Sequence, residues 1–289
     1  MKGAHSQPGN YIAIVLAADR EGQSPVARAA GVSCKALAPV AGKPMLERVL
    51  SALAGAQEVE RCLVCGPSAG IVAQEPALQQ LLGPAQVGWI EHEASPSLSV
   101  LAALSRVAEE VPVLLTTCDH ALLTSEIVDY FCRKARSLGM DAEVGLARHE
   151  EVLARFPATR RTAYRFNDGS YCSCNLFALN TVQARQAPLF WRRVEQLRKQ
   201  PLAMLRQLGL VTVARYLFGR LSLDQALHKL APRLNCSAGA VLLPYPEASI
   251  DVDSAEDWQA VQEIAADMGN LLPDARYSIS TSKPYLCRL

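Results

Sequence analysis

The chain has 289 residues, of which 50% are hydrophobic and 20% charged, and its formal net charge is +1. It is long and apolar enough to bury a full core, as one large domain or as a domain with an insertion, and its near-neutral balance excludes a global attraction to nucleic acid. Its longest apolar runs, such as Ile12 to Ala18 and Val111 to Leu115, fall far short of the roughly 20 residues of a membrane-spanning helix.

Met1 to Asn10 has no apolar segment of the kind a secretory leader carries, so a cytoplasmic location is expected. Ile12 to Ala18 is too short for a helix of its own and breaks at Asp19, which suits a parallel strand covered on both faces. The loop that follows then lies at the strand's carboxyl end, where open α/β sheets bind ligands. Ala17, Ala18 and Gly22 are small enough for backbone N–H groups to approach phosphate oxygens, and Lys35 would bring a point charge to the same place. With Leu16, Asp19 and Arg20 they form a candidate nucleotide loop; an ordinary surface loop before a helix is the plain alternative. Pro44 to Leu53 reads as a helix, Arg61 to Gly66 as a second strand and Val87 to Glu91 as a third. Leu98 to Glu109 reads as a helix and Val111 to Thr116 as a fourth strand. The alternation is that of a doubly wound, mostly parallel α/β sheet. Nine cysteines are scattered through these elements. Cys62 and Cys65 fall in a strand whose alternate side chains face opposite ways, and Cys172 and Cys174 lack a second pair at zinc spacing, so structural thiols outrank a metal site.

Asp119 follows the fourth strand, and its carboxylate is expected at the sheet's carboxyl edge beside the phosphate loop. The alternative is a cap on the helix starting near Thr124, which Thr124 and Ser125 can provide unaided. His120 reads equally as a substrate contact or as part of the approach to that helix. Asp141 to Arg148 looks like a strand, and Arg155, Arg160, Arg161 and Arg165 then concentrate positive charge. Their planar forks, Arg160 and Arg161 foremost, suit bidentate recognition of a phosphorylated ligand; solvated surface charge is the alternative. Tyr171 to Leu179 reads as a further strand. Residues 188–235 form a helical segment with nine Lys and Arg against Glu195 and Asp224. Three readings stay open for it: a lid over a phosphorylated ligand, an amphipathic surface making peripheral contact with anionic membrane, and a plain subdomain with a solvated basic face. Farther on, Asp253 or Ser254 suits a helix N-cap, with Glu256 and Asp257 in the first turn. Beyond Met268 the periodicity is weak, and the segment is expected to lie along the surface.

Leu16-Ala17-Ala18 followed by Lys35-Ala-Leu-Ala-Pro-Val-Ala-Gly-Lys43-Pro-Met-Leu46 resembles the signature of the MobA-like nucleoside-triphosphate transferases, which include molybdenum-cofactor and sugar-phosphate nucleotidylyltransferases. The second half of the signature is long and specific. In the first half, Asp19-Arg20-Glu21-Gly22 opens a longer loop than the compact glycine turn usual there. The resemblance implies a Rossmann-like, GT-A type sheet with a helical insertion, Lys35 on the NTP phosphates, and Lys43 at a position that is usually structural. It implies that Ser97 and Ser99 contact the base, although Ser97 also suits an N-cap. Thr116 to Thr124 is similar to a Gly-Asp-x-Pro segment whose aspartate holds catalytic Mg²⁺; here the proline is absent and His120 follows Asp119. Ser249 to Trp258 is similar to the family's Asp-Ile-Asp-Thr-Pro-Glu-Asp, with Ser254-Ala255 for Thr-Pro. Asp119 with Asp253 meets the demand of Mg²⁺ for hard oxygen ligands, with Asp251 as a further partner. Asn175 matches a residue that touches the acceptor. The implied organisation is a nucleotidyltransferase core over 1–186, a basic helical insertion over 187–235, the remainder of the core over 236–268 and a tail over 269–289. The implied activity is Mg²⁺-dependent transfer of NMP from an NTP to a phosphorylated sugar, polyol or similar acceptor, releasing pyrophosphate, with no nucleic-acid partner. A GT-A-type glycosyltransferase and a non-catalytic nucleotide-sensing module are the alternatives. Lys35 and the Lys-Pro-Met segment speak against the first, and the altered glycine loop motivates the second.

Overall fold

In a computed structural model, which describes residues 10–19, 24–197 and 209–271, the first apolar run forms strand β1 (Tyr11–Leu16). Its unbroken hydrophobicity has a direct cause. Tyr11, Ala13 and Val15 enter one core layer, while Ile12 and Ile14 enter the layer on the opposite face of the sheet. Helix α1 (Pro25–Ala30), capped by the Ser24 side chain and closed by Gly31 in the left-handed region, leads to a short 3₁₀ turn at Lys35–Leu37. Strands β2 (Pro39–Val40) and β3 (Lys43–Pro44) form a hairpin whose two turn residues, Ala41 and Gly42, have φ of 47° and 78°. Positive φ at both positions is what the twist of a two-residue hairpin demands. Helix α2 (Met45–Gly55) buries Met45, Leu46, Val49, Leu50 and Leu53, a stripe at helical spacing.

Next in the chain are β4 (Val59–Cys65), α3 (Ala69–Gln74), α4 (Pro76–Leu82), β5 (Val87–Ile90) and α5 (Pro96–Leu104). They are followed by β6 (Val113–Thr117), α6 (Ser125–Leu138), β7 (Ala142–Arg148), α7 (His149–Arg155), β8 (Tyr164–Phe166) and β9 (Gly169–Leu179). The remainder supplies α8 (Ala187–Leu197), α9 (Leu210–Leu217), α10 (Leu223–Leu234), β10 (Ala238–Leu242) and α11 (Ala255–Leu271). The sheet has eight strands in the order β10-β7-β9-β6-β1-β4-β5, with β8 paired to β9. Only β9 breaks the parallel direction: it runs antiparallel to β6, β7 and β8. The architecture is therefore α/β with a mixed, mostly parallel sheet flanked by helices. Strand order reverses around β1, whose neighbours are β4 and β6, so its carboxyl end opens the crevice where such sheets bind ligands.

The structure corrects several boundaries. Helix α5 starts at Pro96, two residues before the expected Leu98, because Ser95 accepts the Leu98 N–H and proline suits the first helical position. Ser97 is thus inside the helix and is not its cap. Strand β10 escapes sequence reading because Ala238-Gly239-Ala240 carries almost no strand preference; pairing with β7 imposes it. All eight described cysteines are free and buried, and burial pushes the thiols of Cys62 and Cys65 up to about 12. No helix among the described residues is long and apolar enough to cross a membrane.

Candidate functional site

Backbone hydrogen bonds draw the carboxyl ends of the central strands together. Ala17 donates to the Cys65 carbonyl at 2.9 Å, and Cys118 donates to the Leu16 carbonyl at 2.9 Å. Gly66 has φ of +85°, and a Cβ there would stand 3.0 Å from the Ala18 nitrogen, so a glycine is needed for the Ala17-Ala18 backbone to lie this close. Asp19 then accepts the Lys35 backbone N–H at 3.2 and 3.1 Å through its two carboxylate oxygens, folding the 3₁₀ turn back over the end of β1. Burial raises the Asp19 pKa, and the Lys35 N–H opposes that rise. Arg20 and Gly22 lie outside the described residues.

The fold-back directs the Lys35 side chain at two carboxylates. Its Nζ lies 2.5 Å from Asp119 Oδ2 and 3.2 Å from Asp253 Oδ1. Thr117 donates its hydroxyl to the other Asp119 oxygen at 2.5 Å, and the Val252 N–H donates to the Asp119 carbonyl at 3.2 Å. Asp257 accepts from the Ser254 hydroxyl and from the backbone N–H groups of Asp253 and Ser254, while the Ser254 hydroxyl accepts the Asp257 N–H. This reciprocal cap starts α11 and fixes the backbone of Asp253. Three segments far apart in sequence thereby meet at one ammonium group. The Lys35 and Asp119 side chains are each 14% exposed, whereas Asp253 is 74% exposed. Burial alone would lower the Lys35 pKa; attraction to Asp119, with Asp253 adding to it, outweighs burial and raises it, so the side chain is cationic at neutral pH.

Two carboxylates converging on one cation supply the hard oxygen donors that Mg²⁺ takes. No cluster of three His, Cys, Asp or Glu among the described residues is arranged to hold a metal unaided. Asp251 faces elsewhere. It pairs with Arg161, which also donates to its carbonyl at 3.3 Å, and it accepts from the Asn175 side-chain amide at 2.6 Å. Asn175 has φ of +49°, a conformation asparagine tolerates better than most side chains, and it lies across from an irregularity in the β7–β9 register between Val144 and Leu146. Burial raises the Asp251 pKa, and Arg161 opposes the rise.

Other sequence-selected residues are engaged in the interior. Ser99 is buried and accepts the Glu93 N–H at 2.9 Å; Ser97 is buried and donates to Glu195 of α8 at 2.5 Å. His120 is fully buried, with its pKa lowered to about 4 by that burial, and does not line the cavity described below. Lys43 is exposed on the hairpin and pairs with Glu47 at 3.4 Å, one helical turn away. The hairpin itself is clamped by α11: Trp258 donates to the Pro39 carbonyl at 2.7 Å, and Gln262 accepts from the Ala41 N–H at 3.1 Å.

A cavity of about 770 Å³ opens beside Asp251 and Asp253. Asn175 and Phe177 of β9 lie on its floor, Trp191 and Val194 of α8 and Leu227 and Leu230 of α10 wall it, and Arg160 and Arg161 stand at its rim. Lys35 and Asp119 are not among its lining residues, and Asp253 links the two places. Sequence reasoning did not single out Thr117, Asp257 as the anchor of Asp253, or the apolar walls. The helical spacing of Leu227, Leu230 and Leu234, all half-buried, is the one sequence signal that marks an apolar stripe here.

The family described as the MobA-like NTP transferase domain matches residues 13–215 of the chain. Among solved structures, a hypothetical transferase from Thermus thermophilus is 34% identical, with a TM-score of 0.72 over 86% of this chain and 99% of that one. CMP:2-keto-3-deoxy-manno-octonic acid synthetase complexed with CTP has a TM-score of 0.53 at 13% identity, over 91% of this chain and 100% of that one. The 4-diphosphocytidyl-2C-methyl-D-erythritol synthase of Anaerococcus prevotii has a TM-score of 0.53 at 12% identity, over 89% and 96%. At such low identity these two show a shared fold. No curated protein matches the chain.

Proposed function

The chain belongs to the MobA-like NTP transferase family, and from that premise we propose that it transfers an NMP group from an NTP to a phosphorylated acceptor in a Mg²⁺-dependent reaction that releases pyrophosphate. The meeting of Lys35, Asp119 and Asp253 carries this reading. With the Asp119 and Asp253 carboxylates beside one ammonium, a polyanionic triphosphate would be repelled unless a further cation accompanied it. Asp119 and Asp253 would hold Mg²⁺, which when bound neutralises charge on the phosphates as the reaction proceeds.

An oxygen of the acceptor phosphate attacks the α-phosphorus in line. As that P–O bond forms, the bond to the β-phosphate oxygen breaks, and its electron pair leaves with pyrophosphate. Lys35 supplies positive charge where negative charge develops, and Thr117 and Asp19 hold Asp119 and Lys35 in place for it. No protein nucleophile or base is needed, because a phosphate monoester is already ionised at neutral pH.

Incubating the protein with each of the four NTPs, Mg²⁺ and a panel of phosphorylated acceptors, with pyrophosphate as the readout, tests the proposal. At least one pair is expected to release pyrophosphate only when acceptor and Mg²⁺ are both present. Consumption of a nucleotide-sugar without pyrophosphate, or nucleotide binding with no turnover across the panel, would overturn it in favour of a glycosyltransferase or a sensing module respectively.

A further inference from the structure

Apart from Glu143, which pairs opposite Ala178, is 3% exposed and already accepts from the Met140 N–H and the Asn180 amide, the cavity beside Asp253 has its charged groups at one end. Asn175, Arg161 and Arg160 stand there with Asp251 and Asp253. From Asn175 to Leu179 the floor strand runs on for about 13 Å at the rise of a β-strand. Along that stretch Phe177 and Leu179 line the cavity together with Trp191 of α8 and Leu227 and Leu230 of α10, and the Phe177 and Trp191 rings lie 6.4 Å apart. A volume of about 770 Å³ is that of a whole small-molecule site. The hydroxyls of a sugar or polyol placed against these walls would lose their hydrogen bonds to water and find few replacements, a cost that recurs with each hydroxyl. A hydrocarbon group meets no such cost and gains from leaving water. The charge available to a phosphate at the polar end is that of Arg160, which is exposed and makes no ion pair among the described residues, whereas Arg161 is held by Asp251.

We propose that the acceptor is an amphiphilic phosphate monoester, with its phosphate at the Arg160 end and its hydrocarbon group in the slot between β9, α8 and α10. The role of acceptor rests on the nucleotidyl-transfer reading; the binding of such a molecule does not. Two sources share this chemistry, a phosphate free in solution and one carried in a bilayer. A neighbouring surface bears on the choice. Leu210, Val211, Leu217 and Phe218 are 64, 71, 75 and 78% exposed and share one side of α9 with Ala214. On the opposite side Tyr216 packs edge-on against Phe166 of β8, the strand that carries Tyr164 into the cavity wall. A bilayer-borne acceptor would bring that apolar face to the membrane surface; a free one has no use for it.

The test uses the full chain with butyl, octyl and dodecyl phosphate and a hexose phosphate as control. Calorimetric binding without NTP and pyrophosphate release with NTP and Mg²⁺ are measured separately. Affinity and kcat/KM are expected to rise by up to about fourfold for each methylene buried, and Leu230→Gln is expected to flatten that rise. Equal binding of butyl and octyl phosphate by the wild-type chain, or preference for the hexose phosphate, would overturn the inference whether or not Leu230→Gln folds. Pyrophosphate release with the hexose phosphate and no dependence on chain length would reject the apolar slot and leave nucleotidyl transfer standing. Length-dependent binding with no pyrophosphate from any NTP would do the reverse. Dodecyl phosphate presented in phosphatidylcholine vesicles, compared with octyl phosphate in solution, separates the sources. Selective loss of vesicle turnover in Leu217→Ser/Phe218→Ser assigns a bilayer source, and equal turnover of both forms assigns a soluble one.

Discussion

The strand-end cluster around Lys35 and the helical wall formed by α8 and α10 lie on either side of Asp253, and they are built on opposite principles. In the first, a few charged groups are held at hydrogen-bond distance by loops from three parts of the chain. In the second, no single contact matters much, and what counts is the volume left between a strand and two amphipathic helices. Substitutions in the first region therefore act on chemistry in large steps. Those in the second act on acceptor preference by increments of buried area.

The largest effect is expected from Asp119→Ala, which removes one of the two carboxylates that face Lys35. Turnover is expected to fall by about 10³-fold or more, while the far-UV circular dichroism is unchanged, because Lys35 retains Asp253. Activity within tenfold of wild type would erase the distinction between the two regions. Arg161→Ala sharpens the boundary from the other side. Arg161 and Asp251 are 13 and 12% exposed as side chains, and leaving the buried carboxylate without a counter-charge, with only the Asn175 amide as partner, is expected to cost about 3 kcal/mol in denaturant unfolding. A change in acceptor KM with stability unaltered would instead make Arg161 a ligand-facing group.

Lys35→Ala is expected to reduce the rate on the order of 10²-fold through loss of charge at the transition state. Lys43→Ala, on an exposed pair with Glu47, is expected to alter stability by about 0.5 kcal/mol or less and to leave the rate unchanged. The reverse order in paired kinetic and melting measurements would relocate the phosphate site to the hairpin.

Glu143 lies in the cavity wall, and burial pushes its carboxyl up to about 8, opposed by the Met140 N–H and the Asn180 amide. The folded chain keeps this proton to about pH 8, whereas an unfolded chain releases it near the ordinary carboxylate value of 4.5. Folding takes up a proton between those limits, so this group's contribution to stability falls as pH rises, with a slope of at most about 1.4 kcal/mol per pH unit. Glu143→Gln is expected to remove that component between pH 5 and about 8 in urea titrations; parallel curves for the two proteins would contradict it.

The two regions also differed in how far they could be read from sequence. Strand β1 was legible because a strand buried on both faces leaves an unbroken apolar run, and Lys35, Asp119 and Asp253 were selected as charged residues beside strand ends and within quotable motifs. Thr117 was not, because a threonine closing a strand reads first as a strand former. The Arg161–Asp251–Asn175 clamp joins residues up to 90 positions apart, and no local pattern announces such a contact. Ser97 and Ser99 lie at the expected helix start, yet Ser95 takes the cap and turns both hydroxyls to partners in the interior. The cavity was illegible for a different reason. Leu227, Leu230 and Leu234 make an apolar stripe whether side chains or a ligand fill the space opposite them.

The most direct measurement of the central claim is the fate of the NTP α-phosphate. With an α-phosphate-labelled NTP, Mg²⁺ and an acceptor phosphate, the account predicts that label moves into the acceptor product, with one pyrophosphate released for each label transferred, and that Asp119→Ala abolishes both. Label that stays in the NTP, or appears as free NMP without an acceptor adduct, would contradict it.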